Sequence, residues 1–517
     1  KPRFTYSTTW LGNEFEGGPT NTVNSSMIGL GVGADGTCIT VGLNGEQENE
    51  MGMYRDGKVL TYWGGDRVGG TGHAIALMPD GNGLVSRSGQ LIGFHWNESA
   101  RQNRIKSERI TSTDDSEAIR GLAVYQDEVF VAARSDSRIF VLDLKTFAKK
   151  REFVFVRPGP LAVDTKGVLW AVEEGWTSGH PYSYPYPKPF RVLGLDRQTG
   201  KQVNEITGIE LPSAMFADAH GPGARLLIAD NGRDQQVKIF DVSSAKPKAL
   251  GTLGAKGGVY AGTPGEMKPG KFNGLSGVGT DAKGNIYVST AGYPFRVVMG
   301  QGMPNISQLK AFAPSAVGKP EPDALWTLSC PGFNCMGASW DAKTNDIYIG
   351  GLARYSFDPK GGLGREWRLA GTTANLRDES DGETLLRTFL AAPDIAWIEG
   401  ERFLTLRART YKLDKNGNLG RIVRIDNWED KVLRELQEQR TKGAADPFSL
   451  DALFGRFPTE APIPNKEPRW EEWDWKEWEW VDGQGGPLDG KQQQGEYRHL
   501  TNPRVEPEGT QAAKANP

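Results

Sequence analysis

Short apolar runs recur along most of the chain, and nearly every one runs into a turn rich in Asp, Gly or Asn. Eight similar units follow one another: "MIGLGVGADGTCITVG", "HAIALMPDGNGLVSR", "RGLAVYQDEVFVAARSDSRIFVLD", "GPLAVDTKGVLWAVEE", "SAMFADAHGPGARLLIADNGRDQQVKIFD", "LSGVGTDAKGNIYVSTAGYPFRVV", "MGASWDAKTNDIYIGGLARYSFD" and "PDIAWIEGERFLTLRARTYKLD". Their turns fall near Asp35, Asp80, Gln126, Asp164, Asp218, Asp281, Asp341 and Glu399, roughly 38 to 63 residues apart. Each unit reads strand, tight turn, strand, loop, strand, with Gly and Asn supplying the positive φ that hairpin turns need. The first strand of a unit is apolar on consecutive residues ("GLAV", "PLAV", "IAL"), which predicts burial on both faces between neighbouring sheets. Period and strand count together predict an all-β chain folded as an eight-bladed β-propeller, with seven blades as the alternative.

Two of these stretches, "RLLIADNGRDQQVKIFD" and "GVGTDAKGNIYVSTAGYPFRVV", resemble NHL repeats, and the wider resemblance is to NHL and SMP-30/gluconolactonase-like propellers. It covers about residues 27 to 425 and is specific for architecture, because one propeller fold hosts many functions. The resemblance to gluconolactonase-like enzymes implies a divalent metal held in the channel by Glu, Asn and Asp. That set is not placed blade by blade in this sequence, so no ligand is carried over from the family.

The ends lie outside the repeat. "RFTYSTTW" at residues 3 to 10 is strand-like and is expected to complete the last blade, removing two exposed sheet edges. The propeller is therefore assigned residues 1–426. Residues 427–465 are expected to form short helices: "NWEDKVLRELQEQRT" carries Trp428, Val432, Leu433 and Leu436 at helical spacing. Residues 466–517 read as an extended Trp-rich tail.

Composition narrows the class. Among 517 residues there are 66 glycines, a surplus suited to many tight turns. A net charge of −3 gives no basic field for nucleic acid, and no apolar run is long enough for a transmembrane segment. The first residue is Lys1 rather than Met, and "CPGFNC" spaces Cys330 and Cys335 closely enough for a disulfide. Together these suggest an extracytoplasmic protein, periplasmic or secreted; two unbridged thiols are the other reading of the cysteines.

The densest chemistry lies in "EEGWTSGHPYSYPYPKPF", residues 173 to 190, which joins the second and third strands of the fourth unit. In a propeller such loops return to the face where the inner strands begin, at the mouth of the channel. Proline stiffens the backbone there, and Trp176 and Tyr186 present flat amphipathic surfaces to a sugar ring or a protein pocket. Packing against the next blade is the alternative use of these aromatics. Candidate catalytic groups are His180, Tyr182, Tyr184, Glu173, Glu174 and Arg134: an acid–base set with a cation to neutralise a uronate. His73, Arg87 and Arg120 are expected at the same mouth and join the ligand-binding candidates. Only five histidines occur, and His73 alone sits at the start of an inner strand, which argues against a multi-histidine metal centre. If the channel holds an ion, a divalent cation such as calcium near Glu46 and Asp394 is expected; no other cofactor is implied.

The tail holds "RWEEWDWKEWEWV", in which Trp470, Trp473, Trp475, Trp478 and Trp480 supply five of the 15 tryptophans. As a bulged strand it has one aromatic and one anionic side, suited to clamping the rim or to docking on another subunit or a glycan. The leading expectation is a binding or assembly module with a protein or glycan partner. The alternatives are a polysaccharide lyase or hydrolase at the channel mouth, and a metal-dependent lactonase-like hydrolase. Oligomeric state is not readable from the chain.

Overall fold

The computed structural model describes residues 23–24, 27–44, 48–63, 74–78, 80–96, 104–113, 118–175, 188–218, 224–244, 246–262, 266–292, 306–330, 338–349, 353–357, 367–372, 393–406, 409–417, 419–425, 478–482 and 495–499. Its regularity begins at the turns that close the first hairpin of each unit. Asp281 accepts the backbone N–H groups of Lys283 and Asn285, both at 2.9 Å, on one oxygen. Its other oxygen takes the Asn285 amide at 2.8 Å and the Tyr287 hydroxyl at 3.0 Å. Asp164 repeats the arrangement with Lys166 and Val168 N–H and the Trp170 indole. Both carboxylates are buried, so each turn is locked by a fully used acceptor. Asp281→Ala leaves four donors unmatched and is expected to cost about 2–4 kcal/mol in urea unfolding.

All eight units form four-stranded antiparallel sheets. Strands within each sheet follow chain order, and every expected turn residue lies at the end of a first strand or just beyond it. The first strands of sheets one to six are Met27–Val32, Ile75–Leu77, Ile119–Tyr125, Pro158–Val163, Pro212–Asp218 and Leu275–Thr280. They pack side by side in that order, and the sixth packs on the first, giving the propeller arrangement. At this seam the Ala282 N–H donates to the Ala34 carbonyl at 2.9 Å, and the Met27 N–H donates to the Ser307 hydroxyl at 3.2 Å. Gly277 makes the approach possible: a Cβ there would lie 2.5 Å from the Leu30 Cβ. One buried apolar cluster spans both sheets, from Met27, Leu30 and Val32 to Tyr287, Leu309 and Leu328.

The sheet count thus matches the sequence pattern. The described contacts close a circuit between sheets one and six. Sheets seven and eight instead meet each other through Ala338–Asp341 and Pro393–Ile398, where the Trp397 indole donates to Asp341 at 2.9 Å and Arg402 pairs with Asp341 at 3.0 Å. A backbone bridge from Glu266 to Gly371 ties the connection before sheet six to the fourth strand of sheet seven.

The chain divides into two compact units, residues 1–407 with 413–419, and residues 408–412 with 420–517. In the second, Trp478–Asp482 pairs antiparallel with Gly495–His499, with Trp478 opposite His499 and Trp480 opposite Tyr497. The tail forms an antiparallel hairpin there. The strand expected at residues 3–10, the helices expected within 427–465, and Trp470, Trp473 and Trp475 all lie outside the described residues.

Candidate functional site

At the rim where the inner strands begin, the catalytic candidates Glu174 and Arg134 come together with the ligand-binding candidate Arg120. Arg120 lies near the start of Ile119–Tyr125, and Arg134 directly follows the second strand of the same sheet, Glu128–Ala133. Glu174 directly follows Val168–Glu173 in sheet four. The Arg120 Nε stands 3.2 Å from one Glu174 oxygen, and the Arg134 Nε stands 3.2 Å from the other. The Glu174 side chain is 1% exposed, and the two arginines are 6% and 12% exposed. Burying a carboxylate is costly unless charged donors replace its water, and here one guanidinium serves each oxygen.

The neighbouring main chain explains how the carboxylate is positioned. Arg157, with φ 44°, exchanges backbone contact with Glu174, whose N–H donates to its carbonyl at 3.1 Å. The Arg157 Nε donates in return to the Glu174 carbonyl at 3.0 Å. Gly159 leaves the space that the acid fills, since a Cβ there would come within 3.1 Å of the carboxylate oxygen. Arg157, which directly precedes the inner strand Pro158–Val163, was missed in the sequence.

The aromatic segment leaves the sheet immediately beyond this cluster. The Lys188 N–H donates to the Gly175 carbonyl at 3.0 Å, so these two residues form a pinched stem. A Cβ at Gly175 would sit 1.9 Å from the Lys188 carbonyl oxygen, so only glycine fits. Trp176, His180, Tyr182, Tyr184 and Tyr186 lie outside the described residues, as do His73, Glu46 and Cys335. Glu173 is 27% exposed and pairs with Arg191 at 3.1 Å; Arg191 also holds Glu205 at 3.1 Å and keeps that carboxyl below its ordinary range.

The remaining candidates are dispersed. Arg87 ends the strand Asn82–Arg87 of sheet two, half-buried and outside the Glu174 cluster. Asp394 is exposed on Pro393–Ile398. Among the described residues no three of His, Cys, Asp and Glu converge as a metal site. Cys330 is buried at the end of Trp326–Cys330. Trp478 and Trp480 lie on the hairpin strand of the second unit. Among the described residues no helix is long and apolar enough to cross a membrane.

No family model and no curated protein matches the chain. Among solved structures it is similar to Kuenenia stuttgartiensis hydrazine synthase, at 16% identity and TM-score 0.36 over 58% of this chain and 80% of that one. It is also similar to an oxidoreductase described as a glucose dehydrogenase from Thermus thermophilus, at 15% identity and TM-score 0.35 over 52% and 92% of the two chains. A Bacteroides caccae protein of unknown function stands at 14% identity and TM-score 0.33 over 44% and 81%. None of the three supplies an activity for this chain.

Proposed function

We propose that the protein is an extracytoplasmic NHL-like propeller that serves as a binding module, presenting residues 176–187 from the channel rim to a partner protein. The observation that carries this reading is the pinched Gly175–Lys188 stem set directly on the buried Arg120–Glu174–Arg134 cluster. A stem fixed on a rigid base lowers the entropy lost when its aromatics engage a partner. The same cluster weighs against chemistry by Glu174: with both oxygens engaged by guanidinium groups and hardly any exposure, it has no room to exchange a proton with substrate. The carbohydrate-active alternative keeps Glu173 as the accessible carboxylate of this rim. The doubly used turn aspartates, Asp164 and Asp281, support the NHL-like part of the proposal.

The test replaces residues 176–187 by a two-residue Asn-Gly turn across the stem, a connection that suits adjacent antiparallel strands. Native mass spectrometry of the protein purified from its own source is expected to show a stoichiometric polypeptide partner. The shortened variant is expected to lose that partner while its melting temperature changes by only a few degrees. Loss of an adduct of sugar mass would assign the surface to a glycan. Retention of the partner by the shortened variant would overturn the proposal.

A further inference from the structure

Outside the rim cluster, a cleft opens between the outer strand of sheet two, Arg104–Arg109, and the last turn of sheet three. Its volume is about 420 Å³, within the range of small-molecule sites. The floor is apolar: Phe140, Leu142 and Phe147 are buried in one cluster, with Ile110 packed against it. The opening is basic. Arg109 and Lys149 line it, Lys106 stands beside them, and Glu108 is the acid among the described lining residues.

The turn that carries Phe147 has a twin in sheet four. Asp143 accepts the Lys145 and Thr146 N–H groups at 3.1 and 2.9 Å, as Asp196 accepts those of Gln198 and Thr199 at 3.1 and 2.8 Å. The next residue is left-handed in both turns, but it is Gly200 at φ 71° in sheet four and Phe147 at φ 59° in sheet three. Glycine adopts this conformation freely, whereas a bulky side chain is strained in it. The turn itself therefore does not call for Phe147. Its ring reaches across to sheet two, where a Cβ on Gly93 would lie 3.3 Å from the ring tip, and there it walls the cleft.

The cations around the opening select the sign of a ligand. The Lys106 Nζ stands 4.9 Å from the Phe147 centroid, and the Lys149 Nζ stands 5.5 Å from that of Phe140. The ring positions that a cationic ligand would use are thus already taken. Lys149 also pairs with Glu152 at 2.9 Å, but that pair is open to solvent and exchanges at little cost. We propose that the cleft is a second binding site, for a small apolar carboxylate. Its hydrocarbon body rests on Phe140 and Phe147, and its charge meets Arg109 and Lys149.

The probe is para-fluorophenylbutyrate, followed by fluorine NMR on the full chain, with its uncharged amide as the control ligand. The acid is expected to bind saturably with a Kd below about 1 mM, and the amide at least about five-fold more weakly. Arg109→Gln with Lys149→Gln replaces two exposed side chains and keeps the fold. This double variant is expected to weaken the acid about ten-fold and to leave the amide unchanged. Phe147→Gly copies the sheet-four turn and is expected to weaken acid and amide alike, by about five-fold or more. No saturable binding of the acid up to about 5 mM, equal binding of acid and amide, or unchanged binding of the acid in either variant would overturn the site.

Discussion

Glu174→Ala is expected to lower folding stability by about 3–5 kcal/mol, because it leaves the buried Arg120 and Arg134 guanidinium groups without their shared carboxylate. Glu174→Gln should fall nearly as far: the amide keeps the shape but not the charge. Glu173→Gln is the matched control. Its side chain is 27% exposed and its pair with Arg191 is open to solvent, so a change within about 1 kcal/mol is expected. Urea unfolding of the three variants at one pH separates the cases. A loss at Glu174 no larger than the loss at Glu173 would mean that the rim cluster does not anchor the stem.

The second large effect lies at the seam. Gly277→Val would drive a branched side chain into Leu30, where even a Cβ approaches to 2.5 Å. Overpacking of this kind typically costs about 1–3 kcal/mol, and backbone displacement along a buried strand places this site at the upper end. Adding Leu30→Gly to Gly277→Val should recover part of the loss, since it removes the Leu30 Cβ that the new side chain meets. A double-mutant cycle measures that recovery; strict additivity would show that the residues do not touch.

These two positions also mark what the chain discloses locally. The turns were legible because their chemistry is contained in a few residues: Asp281 meets all four of its donors within six positions of itself. The sheet count follows from the same repetition. The seam was not legible, since "LSGVGT" reads as any buried inner strand and nothing in its pattern names Leu30 as the neighbour. Arg120 and Glu174 lie 54 residues apart, so the sequence presented them as separate candidates for ligand binding and acid–base chemistry. Their pairing was decided by which strands adjoin at the rim. Lys310, buried on the strand Ser307–Phe312 of sheet six, was hidden for another reason. In "SQLKAF" it alternates like a solvent-facing strand residue, and only the carbonyls of residues 268, 269 and 271 make burial tolerable.

The channel rim, and with it the placement of the aromatic stem, depends on six sheets closing directly from the sixth to the first. The most direct test introduces Ala34→Cys and Ala282→Cys, whose main chains share a 2.9 Å hydrogen bond and whose side chains are exposed. Adjacent backbones fall within the Cα separation a disulfide spans. After mild oxidation of the folded monomer and digestion without reductant, peptide mass spectrometry is predicted to find the 34–282 cross-link in most of the protein. A folded, oxidised monomer without that linked peptide would contradict the closure.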